Sequence, residues 1–375
     1  VSCDFLVVGG GIAGASVGYF LASSGSVTVL EMEAAPGYHS TGRSAALFTE
    51  YYGNDVVRAL TRASRAFYLA PPDGFTRPLL TPRGVLALCP HGAEERFAEV
   101  LAGGLTAPDP VREIGAGEAL RHCPALRSGW FSRAMLKPAA MDIDVDALHQ
   151  GFLRGIRARG GRVLRSARLR SLTRDNGGKR GWRADTDAGE LRAGCVVNAA
   201  GAWADEIATR AGVRRIGLTP LRRTAALVAA PDTIGVAQWP MVLDVTETFY
   251  LKPESGRLLL SPYDATPVAP GDARPDDLDV ATAIDRVNAA TTLGVRHVQR
   301  AWAGLRSAVS DDAPVIGEDP DTAGFFWLAA LSGYGIQTAP AAGRLAAALV
   351  TGAKAAIPGH ETGFDPADVQ PGRLL

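Results

Sequence analysis

Three glycines near the start of the chain have the spacing to do chemistry. Gly9, Gly11 and Gly14 form G-x-G-x-x-G, and Glu31 follows them. In this pattern the first glycine permits a tight turn, the second lets a pyrophosphate approach the backbone, and the third lets helix and strand pack closely. A helix beginning at the glycines offers free N–H groups and a partial positive charge to phosphates. An acid placed like Glu31 accepts hydrogen bonds from ribose hydroxyls. The chemistry expected is dinucleotide binding. A glycine-rich turn in an ordinary α/β domain would show the glycines alone, so the surrounding elements decide.

Those elements are present in order. Phe5 to Val8 is a short apolar run ending in two β-branched residues, as a fully buried parallel strand requires. Ile12, Val17, Phe20 and Leu21 fit one helical face. Gly25 ends that helix, and Val27, Val29 and Leu30 make a second strand that Glu31 closes. Strand, glycines, helix, strand and acid together are a strong dinucleotide signal.

The bulk properties narrow the partners. A chain of 375 residues buries a large core and suits one big domain or two interleaved ones. With 39 basic and 39 acidic residues the formal net charge is zero, which argues against nucleic acid or an anionic membrane as main partner. The arginine-rich stretch 154–174 alternates with apolar residues, as a solvated helix and strand face does. Cys3, Cys89, Cys123 and Cys195 are far apart, and the histidines lack metal-ligand spacing, so neither a metal site nor a disulfide framework is indicated. A reducing, cytoplasmic setting is expected. The apolar run at the start has Asp4 and no basic residue before it, unlike a secretory signal. The uncharged stretch 325–343 is long enough for a membrane span, but Ser332, Gly333, Gly335, Gln337, Thr338 and Pro340 interrupt it. It reads as a buried strand, a loop and a helix, so no transmembrane segment is expected.

Further along, Pro36, Gly37 and Gly42 break a segment rich in donors: Ser40, Thr41, Arg43 and Ser44. Such donors suit a pyrophosphate and a polyol chain, although a plain polar loop looks similar. A helical pattern runs over 55–68. Residues 71–138 lose the α/β rhythm, with short helices expected at 93–101 and 116–122. Asp144 or Asp146 caps a helix over 147–159. The aspartates there lack the glycine and glutamate of a calcium loop. Strands are expected at 162–169, 182–185 and 189–192, with turns at Asn176-Gly177-Gly178 and Ala188-Gly189. Cys195 to Val197 is a buried strand, and Ala199 to Gly201 are small enough for a cofactor to pass against the backbone. Residues 220–302 turn strand-like again, with a modest helix at 284–290. Gly333 and Gly335 then lead into a helix over 341–350, either a second anion-friendly helix N-terminus or a simple strand–helix turn.

Several of these segments carry a resemblance. The fingerprint at 9–31, His39-Ser-Thr-Gly-Arg-Ser-Ala-Ala, Asp146-Ala-Leu-His-Gln-Gly, Val197-Asn-Ala-Ala-Gly-Ala-Trp, Phe249-Tyr-Leu-Lys-Pro, Trp302-Ala-Gly-Leu-Arg-Ser and Gly333-Tyr-Gly-Ile-Gln-Thr resemble the D-amino acid oxidase / glycine oxidase superfamily of FAD enzymes. Within it the chain is most similar to bacterial D-arginine dehydrogenases, nearly end to end. The resemblance implies an α/β fold: a discontinuous FAD-binding, Rossmann-like domain with a mixed parallel sheet from 1–70, 139–219 and 303–375. An α+β substrate domain on an antiparallel sheet comes from 71–138 and 220–302. It implies FAD contacts at Gly9, Gly11, Ala13, Gly14, Glu31 and Met32, and along Ser40, Thr41, Gly42, Arg43, Ser44, Ala45 and Ala46. Leu169, Ala200, Gly201, Tyr334, Gly335, Ile336 and Gln337 complete that set. FAD is expected to be held non-covalently, since no cysteine follows Cys195 to form the link of sarcosine-oxidase relatives.

An amino acid substrate has a carboxylate, best held by an arginine fork. Arg306 and Arg223 are the candidates, each with a surface salt bridge as the alternative. The resemblance places both near the substrate, with Arg306 as the main clamp. It adds the Tyr250 hydroxyl, Tyr52 in a closing loop, the Gly333 carbonyl, and Thr49, Met241 and Gln337 in the pocket. Strand tyrosines are often core packing. Two positions depart from the arginine enzyme: Val85, in Pro82-Arg-Gly-Val, replaces the acid that receives the guanidinium, and Leu47 replaces a histidine. A buried guanidinium without its partner costs a few kcal/mol. The expected substrate is therefore a neutral, apolar or aromatic D-amino acid. Glu50, which would compensate if it pointed inward, is expected to be exposed. The expected reaction passes the α-hydrogen to FAD as hydride, and the imino acid hydrolyses to a 2-oxo acid and ammonia. Oxygen, a quinone or another acceptor then takes the electrons. The alternatives are oxidation of another amine or a 2-hydroxy acid, and a non-catalytic FAD-binding scaffold.

Overall fold

The start of the chain folds as its pattern requires. Strand β1 (Ser2–Val8) lies parallel to β2 (Val27–Leu30), with Phe5 opposite Val27 and Val8 opposite Leu30. Helix α1 (Ile12–Leu21) connects them. The strand Gly189–Asn198 runs parallel on the other side of β1, and Phe325–Ala329 lies parallel beyond it. Arg162–Leu164 extends the sheet past β2. Helices cover such strands on both faces, which explains their unbroken apolar runs. Leu169–Arg174 and Trp182–Thr186 add an antiparallel edge, and Val315–Glu318 completes this eight-stranded sheet. The computed structural model describes residues 2–75, 78–105, 109, 111–175, 181–231, 235–353 and 365–375. The expected turn at Asn176-Gly177-Gly178 lies outside them.

A second, nine-stranded sheet is antiparallel except where Met241–Asp244 runs beside Val85–Pro90. Its spine is Thr219–Ala229, paired with Arg257–Ser261 and with Val298–Ala308. The strand across the domain boundary expected at 303 is continuous, and the first sheet resumes at Val315, where a strand was expected. The last strand stays in the second sheet until Ala308 pairs with Thr219, so Arg306 belongs to this sheet. A small sheet of Leu47–Phe48, Leu80–Pro82 and Met141–Ile143 is tied to the large one by Asp142. That carboxylate accepts from Arg83 Nε at 2.6 Å and from Lys252 Nζ at 2.9 Å.

Helix bounds differ from expectation for local reasons. Asp144 is the N-cap of Val145–Ala158, accepting from Ala147 N at 2.8 Å. The modest helix at 284–290 is longer, Asp277–Ala290, because Asp276 caps it further upstream. The C-terminal helix begins at Gly335, runs to Thr351, and contains Pro340. Proline cannot donate to the carbonyl four residues back, that of Ile336. The buried Tyr68 hydroxyl donates to that carbonyl instead, and Ala341 N donates to Ser64 Oγ at 3.1 Å. Two residues of helix Asp55–Leu69 thus repair the break and clamp the two helices together. We expect Tyr68→Phe to leave a buried carbonyl unpaired and to cost about 1–3 kcal/mol, read as a fall in denaturation midpoint at unchanged m-value. Residues 325–343 form the expected strand, loop and helix start, and no helix among the described residues is long and apolar enough to cross a membrane.

Candidate active site

The two sheets enclose a cleft of about 320 Å³. One end is built on the glycine loop. Gly9 has φ +111°, and a Cβ there would sit 2.4 Å from the Ala199 carbonyl oxygen. The turn therefore requires glycine. No side chain caps α1 at Gly11, so its N-terminus is left to a ligand. Thr41 Oγ1 accepts from one of its N–H groups, that of Ile12, at 3.0 Å. His149, from the Asp-Ala-Leu-His-Gln-Gly segment, fastens the loop from below: its Nε2 donates to the Gly10 carbonyl at 2.8 Å. Burial holds the His149 imidazole below its ordinary range, which keeps it neutral. Glu31 is buried and accepts from Gly10 N at 3.1 Å and Glu33 N at 2.8 Å, so its carboxylate stands fixed at the end of β2. Burial pushes its pKa up against the downward pull of these N–H groups.

The other end is built on the second sheet. Arg306 lies opposite Leu221 on the adjoining strand, and Arg223 is two residues further along it. Both guanidiniums therefore share one face of the sheet. Arg306 Nη1 donates to the Tyr52 hydroxyl at 3.4 Å, and its guanidinium rests on Gly333, where a Cβ would be 2.8 Å from Cζ. Burial opposes the Arg306 charge, but Tyr52, Tyr250 and Tyr263 outweigh it and the group is held charged. Arg223 donates through Nε to the Asp264 carbonyl at 2.5 Å and lies over the Tyr263 ring. Its Nη1 is buried with no partner among the described residues. Burial and the neighbouring Arg306 cation lower its pKa. Tyr250 packs edge-on against Tyr263, and Tyr52 against Tyr334. Ala330 and Ser332, which also line the cleft, have φ of 54° and 46°. Strained backbone of this kind gathers at functional sites.

Most expected residues meet in this one cleft. Gly9, Gly11, Ala13, Glu31, Met32, Ser40, Thr41, Arg43, Ser44, Ala45, Ala46, Leu169, Ala200, Gly201, Gly335, Ile336 and Gln337 line it. So do Leu47, Thr49, Tyr52, Val85, Arg223, Met241, Tyr250, Arg306 and Gly333. Gly14, Gly42 and Tyr334 do not. Gly14 lies beneath the turn, against the Gly9 carbonyl, and Gly42 closes a turn onto Gly37. Tyr334 faces Tyr52 and bonds Asp312 at 3.4 Å. Several expected donors are already engaged by the framework. Ser40 Oγ donates to the Leu305 carbonyl at 2.7 Å, and Arg43 binds Asp272 and the Ala273 and Ala303 carbonyls. The Gln337 amide donates to Thr61 Oγ1 at 3.0 Å. Glu50 is buried, not exposed, yet it offers a substrate nothing: Arg65 holds it at 2.8 Å. The wall also holds residues that were missed, among them three on the second sheet's side. Leu243 follows Met241 along its strand, Tyr263 underlies Arg223, and Lys137 stands opposite Val85. A lysine closing the apolar run 134–136 was the available signal for the last.

This geometry calls for a dinucleotide at the glycine end, and the comparisons agree. A family model described as FAD dependent oxidoreductase (DAO) matches residues 4–349. The chain belongs to that family. Its cofactor is FAD, which fits the glycine turn, the uncapped helix end and the fixed Glu31. The chain is 25% identical to glycine oxidase of Geobacillus kaustophilus (strain HTA426) over 92% of each chain. The crystal structure of glycine oxidase from Geobacillus kaustophilus superposes with a TM-score of 0.85 at 22% identity, over 100% of this chain and 99% of that one. An L-α-glycerophosphate oxidase from Mycoplasma pneumoniae with FAD bound gives 0.83 at 16% identity, over 94% and 95%. The mixed two-sheet fold is that of these FAD oxidoreductases, and the protein is an enzyme.

Proposed function

We propose that this enzyme oxidatively deaminates a D-amino acid. One observation carries the reading: Arg306 and Arg223 face a single cleft among tyrosines, with a buried guanidinium nitrogen left unpaired. Among the described residues Arg306 has no carboxylate partner and Arg223 only Asp264, at 4.0 Å, so two cations side by side call for a further anion, and a carboxylate matches a guanidinium fork. Arg306 grips the carboxylate, with Tyr250 as a second donor and Arg223 neutralising the remaining charge. The Gly333 carbonyl accepts from the substrate amine. Tyr52 lies across Arg306 and screens the bound headgroup from water. Bound FAD supplies the acceptor for the hydride that leaves Cα. The protein then needs only a neutral amine, and removing its proton costs about 1.4 kcal/mol per pKa unit above ambient pH, within reach of Tyr52 or an ordered water. The imino acid hydrolyses to a 2-oxo acid and ammonia.

The relatives named above act on glycine and on glycerophosphate, so the amino acid side of the family supports an amine donor. The D configuration rests on the resemblance to arginine dehydrogenases. Leu47, Val85, Met241 and Leu243 make an apolar wall that suits an apolar or aromatic side chain and offers a guanidinium no acid. The four free cysteines fit a reducing, cytoplasmic setting.

Anaerobic reduction of the flavin by a panel of D- and L-amino acids tests this. Apolar D-amino acids are expected to bleach the flavin about 10²-fold faster than D-arginine, the factor that a few kcal/mol of unpaired guanidinium burial corresponds to. Bleaching by 2-hydroxy acids alone, or by L-amino acids in preference to D, would overturn the proposal.

A further inference from the structure

The apolar wall ends in a charge. Lys137 is the last residue of strand Phe131–Lys137, directly opposite Val85, which in turn pairs with Met241. Opposed residues in a sheet share a face, so these three side chains form one row, and all three line the cleft. Lys137 Nζ lies 4.0 Å from the centre of the Tyr51 ring. Among the described residues no carboxylate comes within ion-pair distance of it. The nearby acids are engaged elsewhere: Arg65 holds both Glu50, at 2.8 Å, and Asp109, at 2.7 Å. Glu247 acts on Lys137 only through its field, and Arg58, which sits over the same Tyr51 ring, adds a second positive charge. Lys137 is half-buried, and an ammonium drawn partly out of water without a counter-ion is costly, so a cleft that keeps one has a use for it.

We infer that Lys137 receives a carboxylate at the tip of the substrate's side chain, so that the substrate is an amino acid with an apolar stem and a second acid group. This rests on reading Arg306 and Arg223 as the clamp for the α-carboxylate, and it replaces a neutral tip by an anionic one. The cleft then presents guanidiniums at one end of the substrate and an ammonium at the other, with Val85 and Met241 between them. Burial lowers the Lys137 pKa to about 7, with Glu247 opposing the fall and Arg58 adding to it. An arriving carboxylate restores the charged form.

Binding and turnover test this separately. The FAD holoenzyme is titrated with glutarate and with butanoate, followed by the change in flavin absorbance, which requires no reaction. Glutarate is expected to bind at least about tenfold more tightly, the effect of one charge-assisted hydrogen bond, and Lys137→Met is expected to bring the two ligands level. The ratio of kcat/KM for D-glutamate over D-glutamine is expected to be about tenfold and to fall to about one in the same variant. Equal binding of glutarate and butanoate by the unmodified enzyme overturns the inference, and this comparison needs no variant to fold. If glutarate binds more tightly but no amino acid reduces the flavin, the lysine assignment stands and the deamination reading falls. If apolar D-amino acids reduce the flavin and glutarate gains nothing, the reverse holds.

Discussion

Arg306→Ala is expected to lower kcat/KM for the amino acid substrate by about 10²–10³-fold, because truncating one partner of an enclosed charge pair costs roughly 2–5 kcal/mol. Both kinetic constants should move. KM rises because the carboxylate loses its fork, and kcat falls because a loosely held headgroup no longer fixes Cα for hydride removal. Arg223 remains, but its Nε is committed to the Asp264 carbonyl and its pKa is already lowered by burial and by Arg306 itself. It neutralises charge without replacing the clamp. Arg306→Lys should recover only part of the loss, since an ammonium lacks the planar pair of donors. The flavin spectrum should survive in both variants, because the guanidinium touches Tyr52 and Gly333 and not the glycine turn. Unchanged KM and kcat/KM in the alanine variant would remove Arg306 from substrate binding.

The clamp shows what the sequence could and could not reveal. The dinucleotide end was legible because its parts are local: turn, helix start and closing acid lie within 9–31, and each residue's role follows from backbone geometry. The substrate end comes from strands far apart in sequence. Arg306 and Arg223 meet because 298–308 pairs with 219–229, and no periodicity announces that register. Their residue type suggested chemistry, and only the resemblance brought them together. The same non-local pairing runs one continuous strand, 298–308, across the boundary placed at 303. Lys137 and Tyr263 were missed for a related reason: each looks unremarkable until the residue beside it is known. Glu50 was read as exposed because acids usually are, and its partner Arg65 lies on a different element. The last helix was expected to begin at 341, after Pro340, and the Tyr68 hydroxyl that lets it run through the proline sits in another helix.

Gly14→Ala is expected to abolish FAD binding outright and yield colourless protein of lowered stability. The added Cβ would lie 1.8 Å from the Gly9 carbonyl oxygen, with Val7 Cγ1 at 3.2 Å behind it. The obstacle is backbone, so no side chain can turn away. Helix α1 would have to lift off β1, and the lift moves the N–H groups at its start, which suit a pyrophosphate. Packing strain of this kind costs at least about 1–3 kcal/mol before any cofactor is lost. Losing the cofactor then removes its own stabilisation by mass action. Gly117→Ala is the matched control. That glycine lies in helix Ala116–His122 with nothing within 4 Å of a new Cβ, so the change should add up to about 1 kcal/mol and leave the flavin in place. Visible absorbance and melting temperature of the two variants separate the effects. A yellow Gly14→Ala protein with an unaltered melting temperature would mean that the helix yields more easily than its contact with Gly9 allows, and the glycine end of the cleft would then need another account.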